Sequence, residues 1–244
     1  LRALETYILS ADAGRPDREA RRAVQEADLQ RAGLTRLRRP PNAWATAPHV
    51  QEHNAALLAI LEAALAAPMF SPFLLVDATT VADESSSPLL DVPVGADAVF
   101  LGTSPLAAAF NASGYVPHNE GVVHSPTGGQ GLMRVFNAMA FHAVLIASEP
   151  FARNLQRCAL EGMLRRAPAT VLAARTQRYY KVYSVITPRL HQSARLGGDE
   201  PGTRRPLHGV RIAGPEGLPA RVGFVEAPSV AVDLAMAASL RRLA

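Results

Sequence analysis

Short apolar runs alternate with segments of helical periodicity, and this alternation limits the possible folds more than any other feature of the chain. Residues 73–76, 98–101 and 143–146 are continuous apolar runs, which is typical of strands buried on both faces of a sheet. Apolar residues recur at helical spacing in residues 50–66, and residues 149–164 also read as a helix. The alternation predicts an α/β fold with a mostly parallel, Rossmann-like sheet covered by helices.

The remaining elements follow from turn and capping signals. Asp17 is expected to cap a helix that ends at Gly33, because its side chain can accept from the free amides of the first turn. The glycine-rich stretch 111–131 is expected to be one long loop, and long loops of such folds often cover a ligand. Further predictions are strands at 6–10, 34–37, 181–186 and 209–212, a helix at 18–32, a flexible stretch at 197–205 and a terminal helix near 230–243.

The length of 244 residues allows one large α/β domain or two small ones. We expect a single domain over residues 1–244. It is expected to contain a nucleotide-binding half in residues 1–110, an acceptor-side half in 111–208 and a strand and helix extension in 209–244.

Composition excludes several classes of protein. Hydrophobic residues make up 48% of the chain and charged residues 19%, which excludes a disordered chain. No apolar run reaches the roughly 18 residues of a membrane span, and no signal-peptide pattern is present, so we expect a cytoplasmic protein without a transmembrane segment. Cys158 is the only cysteine, which excludes an intrachain disulfide and a thiolate metal cage.

The net charge of +4 is carried almost wholly by arginine, since Lys181 is the only lysine. An arginine-rich composition can reflect genomic base bias as readily as an anionic partner. Nucleotide diphosphates, acidic glycans and nucleic acid all remain open as partners.

Candidate chemistry is expected at the carboxyl ends of the strands, where the loops of an open α/β sheet converge. Residues 10–18, 77–83 and 102–104 would share this edge. Asp77 and Asp83 are candidate ligands of a hard divalent cation that would neutralise a departing diphosphate. The alternative is that Asp77 only ends a strand in a turn.

Familiar motifs of other enzyme classes are missing. His49 and His53 are four residues apart without the carboxylate of an HExxH zinc motif. The chain has no GxSxG elbow, no Walker loop and no GxGxxG after its first strand. The glycine-rich stretch 128–131 follows no predicted strand, which weighs against a phosphate-binding loop there.

Several stretches, taken in order, resemble glycosyltransferase family twenty-five, which includes lipooligosaccharide and procollagen galactosyltransferases. The most specific is residues 134–146, where His142 precedes an apolar strand. The other stretches are the strand and loop from Tyr7 through Arg15 to Arg18, the helix start Glu52-His53-Asn54, the strand end at 97–102 and residues 182–192. The resemblance covers roughly residues 5–195.

The resemblance implies a GT-A-like fold, a nucleotide-sugar donor such as a UDP-sugar, and sugar transfer to an acceptor hydroxyl. By position, Asp77 and His142 would be catalytic, and Asp77 with Asp83 would hold Mn²⁺ or Mg²⁺. The residues implied to bind the nucleotide-sugar are Ser10, Arg15, Arg18, Thr79, Gly102 and Gln192.

The family normally has consecutive acidic residues where this chain has Asp77-Ala78-Thr79. Fewer carboxylates weaken binding of a hard cation. Three explanations are open: Asp83 or Glu84 replaces the missing ligand, arginines replace the metal, or catalysis has been lost and the chain is a non-catalytic binding module.

Two acceptors are open as well. One is a surface oligosaccharide, and the other is a hydroxymethylated DNA base. Arginine and tyrosine residues between 165 and 181 would permit phosphate contacts and base stacking in the second case, although such a run is usually a solvated face.

Overall fold

The computed structural model describes residues 4–10, 16–39, 49–82, 89–102, 122–124, 132–135, 138, 142–185, 187–198, 224–226 and 229–233. The helices of this part of the chain are α1 (Arg18–Arg31), α2 (His49–Leu65), α3 (Glu149–Arg165) and α4 (Ala169–Thr176). Its strands are β1 (Glu5–Leu9), β2 (Arg36–Arg38), β3 (Phe73–Asp77), β4 (Thr80–Ala82), β5 (Leu89–Pro93), β6 (Ala98–Gly102), β7 (Val122–His124), β8 (Leu132–Arg134), β9 (Ala143–Ile146), β10 (Val182–Val185), β11 (Leu190–Gln192), β12 (Phe224–Glu226) and β13 (Ser229–Asp233).

Nine of these strands form one sheet in the order β12-β7-β8-β10-β6-β9-β3-β1-β2. In the six strands from β10 to β2, β9 alone runs opposite to the others, pairing antiparallel with both β3 and β6. β1 pairs in parallel with β2 and β3, and β10 with β6. The α/β class is confirmed, and the sheet is mixed.

The two faces of the sheet are covered differently. Phe73 and Leu75 pack on one face with residues of α2, α3 and α4, among them Leu57 and Phe151. Leu74 and Val76 point to the other face, since successive strand residues alternate. Leu29 of α1 packs there together with residues of β5 and β11. Helices therefore cover the first face, whereas α1 and the strands β5 and β11 together cover the second.

The predicted side-chain cap of α1 is wrong. Asp17 occupies the N-cap position, but its side chain makes no capping hydrogen bond. The carboxylate instead pairs with Arg21 at 3.2 Å. The predicted end of the helix is confirmed: α1 ends at Arg31, and Gly33 follows with a φ of +88°, which glycine adopts without strain.

Two other predicted elements need correction. The stretch 111–131 is not loop throughout, since β7 lies within it and pairs with β8 and β12. The terminal helix near 230–243 is wrong over its first residues, because Ser229–Asp233 is a strand that pairs antiparallel with Leu89–Pro93. The strand predicted at 209–212 lies outside the described residues.

Buried amides connect the helices to one another and to the chain that precedes β9. Asn54 of α2 donates to the Ala167 carbonyl and accepts from the Ala169 amide, both at 2.9 Å, across the α3–α4 connection. Gln177 is fully buried and exchanges two hydrogen bonds with the backbone of Ala138. The second contact holds the chain a few residues before His142. Among the described helices, none is both long and apolar enough to span a bilayer.

Candidate functional site

The carboxyl ends of β1 and β3 lie side by side, and their registers pair Leu9 with Asp77. The Ala78 amide donates to the Leu9 carbonyl at 2.9 Å, which extends the contact one residue beyond the strands. β1 has β2, the next strand along the chain, on one side and β3 on the other side, with β9 and β6 beyond β3. The strand order therefore reverses between β1 and β3, and ligands of open α/β sheets bind at such a reversal.

Asp77 closes a tight turn at this edge. Its Oδ1 accepts from the Thr79 amide at 2.8 Å and from the Thr79 hydroxyl at 2.5 Å, a local arrangement typical of aspartate at turns. Oδ2 has no hydrogen-bond partner within the described part of the chain, and the residue is half-buried. Asp77 is therefore a turn residue, and one of its oxygens remains for a ligand.

Gln25 of α1 fixes this turn from the helix side. Its side-chain nitrogen donates to the carbonyls of Asp77 at 2.7 Å and Thr80 at 3.0 Å. Its side-chain oxygen accepts from Arg39 at 3.1 Å, so the buried amide uses both ends. Asp28, one turn further along α1, accepts from the Ala82 amide at 2.8 Å. The helix thus holds the turn and β4 in place.

β11 brings Gln192 to the same turn. β11 pairs antiparallel with β4, and the register sets Gln192 opposite Thr80. The Gln192 side chain donates to the Thr79 hydroxyl at 3.1 Å, and the Ser193 amide donates to the Thr79 carbonyl at 2.8 Å. The structure therefore brings together three residues predicted for the site, namely Asp77, Thr79 and Gln192.

His142 lies behind the turn and is almost fully buried, with 2% of its surface exposed. Its carbonyl accepts from the Asp77 amide at 2.9 Å and from the Thr80 hydroxyl at 2.6 Å. Burial lowers the pKa of the ring to about 4, an effect that the nearby charge of Asp77 opposes and that of His191 strengthens. The Leu190 carbonyl also favours the protonated ring. Even so, neither ring nitrogen has a well-formed hydrogen bond with a described residue. His142 is therefore neutral at pH 7.

Gly102 ends β6 under the backbone of β11. A Cβ at this position would lie 1.8 Å from the Leu190 carbonyl oxygen and 2.6 Å from His142 Nε2. The Arg189 amide donates to the Leu101 carbonyl at 2.7 Å, which fixes the close approach. Packing therefore requires glycine at position 102, whether or not this residue also contacts a nucleotide-sugar as predicted.

Ser10 and Arg18, predicted to contact the nucleotide, lie at the two ends of the first loop. Ser10 is buried directly after β1, and Arg18 is the half-buried first residue of α1. Both therefore belong to the edge that carries Asp77, since α1 follows β1 after a short connection. Arg15 and Asp83 lie outside the described residues, so their predicted roles stay predictions.

Two residues at this site were not predicted from the sequence. Gln25 shares the buried face of α1 with Leu29, four residues later, and an amide at such a core position was the available signal. His191 is buried on β11 and close enough to affect the pKa of His142. No sequence pattern connects these two histidines, because β11 reaches the site through its pairing with β4 and its contact with the end of β6, which lie far away in the sequence.

The described residues do not by themselves form a metal site. They contain no group of three or more His, Cys, Asp or Glu side chains that could hold an ion, and Asp77 brings one available carboxylate oxygen. Binding of Mn²⁺ or Mg²⁺ by Asp77 with Asp83 accordingly stays a prediction.

The geometry defines an α/β protein with a polar site at the carboxyl edge of a mixed sheet. No protein-family model matches the chain, and no curated protein matches it.

Proposed function

We propose that the chain is a GT-A-like glycosyltransferase that moves a sugar from a nucleotide-sugar donor, such as a UDP-sugar, to an acceptor hydroxyl. The observation that carries this proposal is the position of Asp77. It lies at the carboxyl end of β3, beside the end of β1, with Oδ2 left over after the turn is satisfied. An acidic side chain at this place can accept from a sugar hydroxyl or contribute to a cation beside a diphosphate.

The surroundings of Asp77 suit a donor with both polar and anionic parts. Thr79 and Gln192 present hydroxyl and amide groups next to the carboxylate. α1 begins at Arg18 shortly after β1, and the start of a helix that follows a strand favours phosphate groups through its free amides and dipole. Arginine adds paired donors for phosphate oxygens.

The proposed reaction is a substitution at the anomeric carbon of the donor. A bond forms from the acceptor oxygen to this carbon while the bond to the diphosphate oxygen breaks. The nucleoside diphosphate leaves with the electron pair, and the acceptor proton passes to a base or to solvent. Arg15 and Arg18 would stabilise the charge on the departing diphosphate, and Asp77 would orient the sugar.

Thermal shift with UDP and UDP-sugars, with and without Mn²⁺, tests donor binding. A ligand that binds only the folded state at 100 times its Kd adds about 2.7 kcal/mol to the free energy of unfolding. Asp77→Asn is the informative variant, because an amide oxygen can still close the turn while the negative charge is lost. We expect this variant to fold and to lose most of the shift. Equal shifts for the variant and the parent would contradict the proposal.

The matched control is Asp97→Asn. Asp97 precedes β6 at the opposite edge of the sheet, where its oxygens accept from Ser148 at 2.5 Å and from the Lys181 amide at 2.7 Å. This variant should melt earlier but keep its full response to nucleotide. A response lost in both variants would indicate general destabilisation.

Acceptor choice can be tested once donor hydrolysis is measured. A hydroxymethylcytosine-containing duplex and a surface-type oligosaccharide are offered in parallel with labelled donor. Transfer to the oligosaccharide and none to the duplex would exclude the DNA base, and the reverse result would exclude the glycan.

A non-catalytic binding module is the second candidate. The engagement of Asp77 Oδ1 with Thr79 favours it, since part of the carboxylate serves the turn rather than a ligand. Such a module would show the thermal shift with nucleotide-sugars, but no donor hydrolysis at any metal concentration and no transfer to either acceptor.

A further inference from the structure

Positive charge is concentrated in one part of the chain. Residues 149–181, which we call the α3–α4 hairpin, contain seven basic and two acidic residues and so carry a net charge of +5, whereas the whole chain carries +4. The basic residues are Arg153, Arg157, Arg165, Arg166, Arg175, Arg178 and Lys181. The rest of the chain is close to neutral, so a general arginine bias does not explain this distribution.

The two helices of the hairpin run alongside each other. Asn154, near the start of α3, donates to the hydroxyl of Thr176, at the end of α4, at 2.7 Å. The core-facing side of α3 includes Phe151, Leu155, Cys158 and Gly162, all buried. Its opposite side faces outward, and all of the hairpin's basic residues are exposed.

Large apolar side chains occupy that outward side. Leu160 is 48% exposed and Leu164 is 86% exposed, and residues four apart lie next to each other on a helix. Tyr179, after α4, is 72% exposed and has the Arg178 guanidinium 4.9 Å from its ring centroid. The hairpin thus exposes apolar and aromatic side chains together with basic ones, and both kinds of group contribute to binding at the surface of an anionic bilayer.

We propose that the outer side of the α3–α4 hairpin binds the surface of an anionic lipid bilayer. The arginines would approach the lipid phosphates, while Leu160, Leu164 and Tyr179 would enter the boundary between headgroups and acyl chains. Charge complementarity selects this occupant, because an uncharged protein partner would gain nothing from a net charge of +5. Vesicle binding does not depend on the sugar transfer proposed above.

A bilayer fits the surface better than a nucleic acid does. Phosphate contacts would use the arginines, and a base could stack on Tyr179. Leu160 and Leu164 would remain exposed against a phosphate backbone, whereas burying their apolar area in a bilayer is favourable by about 25 cal/mol per Å². The leucines therefore distinguish the two partners.

Flotation of the whole chain with vesicles tests the proposal. Vesicles of phosphatidylcholine alone are compared with vesicles that also contain phosphatidylglycerol, at low and high salt. We expect binding only to the anionic vesicles, weakened by salt. Arg166→Gln with Arg175→Gln should weaken binding by about 25-fold, since each basic residue near such a surface contributes about fivefold. Leu160→Ser with Leu164→Ser should weaken it by tenfold or more.

Matched controls use residues of the same type outside the hairpin. Arg31 and Arg38 are 66% and 63% exposed in their side chains, and Arg31→Gln with Arg38→Gln should leave binding unchanged. Met69 and Val24 are exposed apolar residues elsewhere, and Met69→Ser with Val24→Ser should also bind normally. All of these positions are on the surface, so folding should survive each change.

Three results would overturn the proposal. One is equal binding to neutral and anionic vesicles, and another is unchanged binding by the leucine variant. The third is the absence of binding to anionic vesicles. Duplex DNA binding that the arginine variant loses would then assign the surface to nucleic acid, and a dimer that the leucine variant dissociates would assign it to a second copy of the chain.

Discussion

The side-chain amide of Gln25 donates to the main-chain carbonyl of Asp77 at 2.7 Å, joining α1 to the end of β3. The same nitrogen reaches the carbonyl of Thr80 at 3.0 Å. One fully buried side chain thus fixes both sides of the turn that carries the candidate ligand atom.

Gln25→Met should lower the free energy of unfolding by about 1–3 kcal/mol, because two buried carbonyls lose their donor while the side-chain volume is nearly kept. Urea unfolding measures the change. Gln30→Met, on the exposed side of the same helix, should change stability by less than about 0.5 kcal/mol. Similar values for the two variants would show that the Gln25 contacts do not stabilise the fold.

Gly102→Ala should destabilise the protein by several kcal/mol, since the new Cβ would lie 1.8 Å from a main-chain oxygen that cannot rotate away. Thermal unfolding is the measurement. Gly95→Ala is the control: its nearest atom would be the flexible Lys181 Nζ at 3.5 Å, and its φ of +73° costs about 1 kcal/mol. A smaller loss at Gly102 than at Gly95 would contradict the close approach of β11.

Thr79→Val keeps the shape of the side chain but removes the hydroxyl that joins Asp77 to Gln192. We expect a loss of about 1–2 kcal/mol in the free energy of unfolding and a weaker thermal shift with nucleotide-sugar, because the carboxylate is less firmly held. Thr170→Val on α4 should leave the nucleotide response intact. If the Thr79 variant responded like the parent, the turn geometry would be irrelevant to binding.

Acid should destabilise the protein through His142. The folded pKa of about 4 lies below the unfolded value of 6.5, so the unfolded chain binds more protons between these values. Stability is therefore full above pH 6.5 and falls as the pH drops towards 4, by on the order of 3 kcal/mol.

Chemical unfolding between pH 7.5 and 4.5 measures this dependence. His142→Asn should flatten the curve, although the variant is less stable at neutral pH. His53→Gln on α2 should retain the acid sensitivity of the parent. A steep loss of stability in acid that survives the His142 substitution would assign the effect to other groups.

Much of the fold could be predicted from local patterns. The runs at 73–76, 98–101 and 143–146 are strands because continuous apolar residues at these lengths must be covered on both faces. α2 and α3 follow their apolar periodicity to within a residue or two. The direction of β9 could not be predicted in this way, because the residues of an apolar run do not indicate which way the strand points. Its direction depends on the course of the chain from β6 through β7 and β8.

The candidate site was predictable in part. The strand end identifies Asp77, the family resemblance implies Thr79, Gln192 and His142, and the structure brings these residues together. Gln25 and His191 were missed because their contacts join segments about fifty residues apart. The helix predicted near 230–243 is wrong over its first residues because Ser229–Asp233 pairs with β5, a contact between distant segments that no local pattern indicates.

The reversed strand β9 has a consequence for synthesis of the chain. β3 and β6 leave the ribosome first but do not pair with each other, because residues 143–146 belong between them. Until those four residues emerge, β3 has an open edge, and β6 has neither of its partners, since β10 comes later still. Chaperone protection would be most needed during that interval, and a chain truncated before residue 143 should aggregate rather than fold.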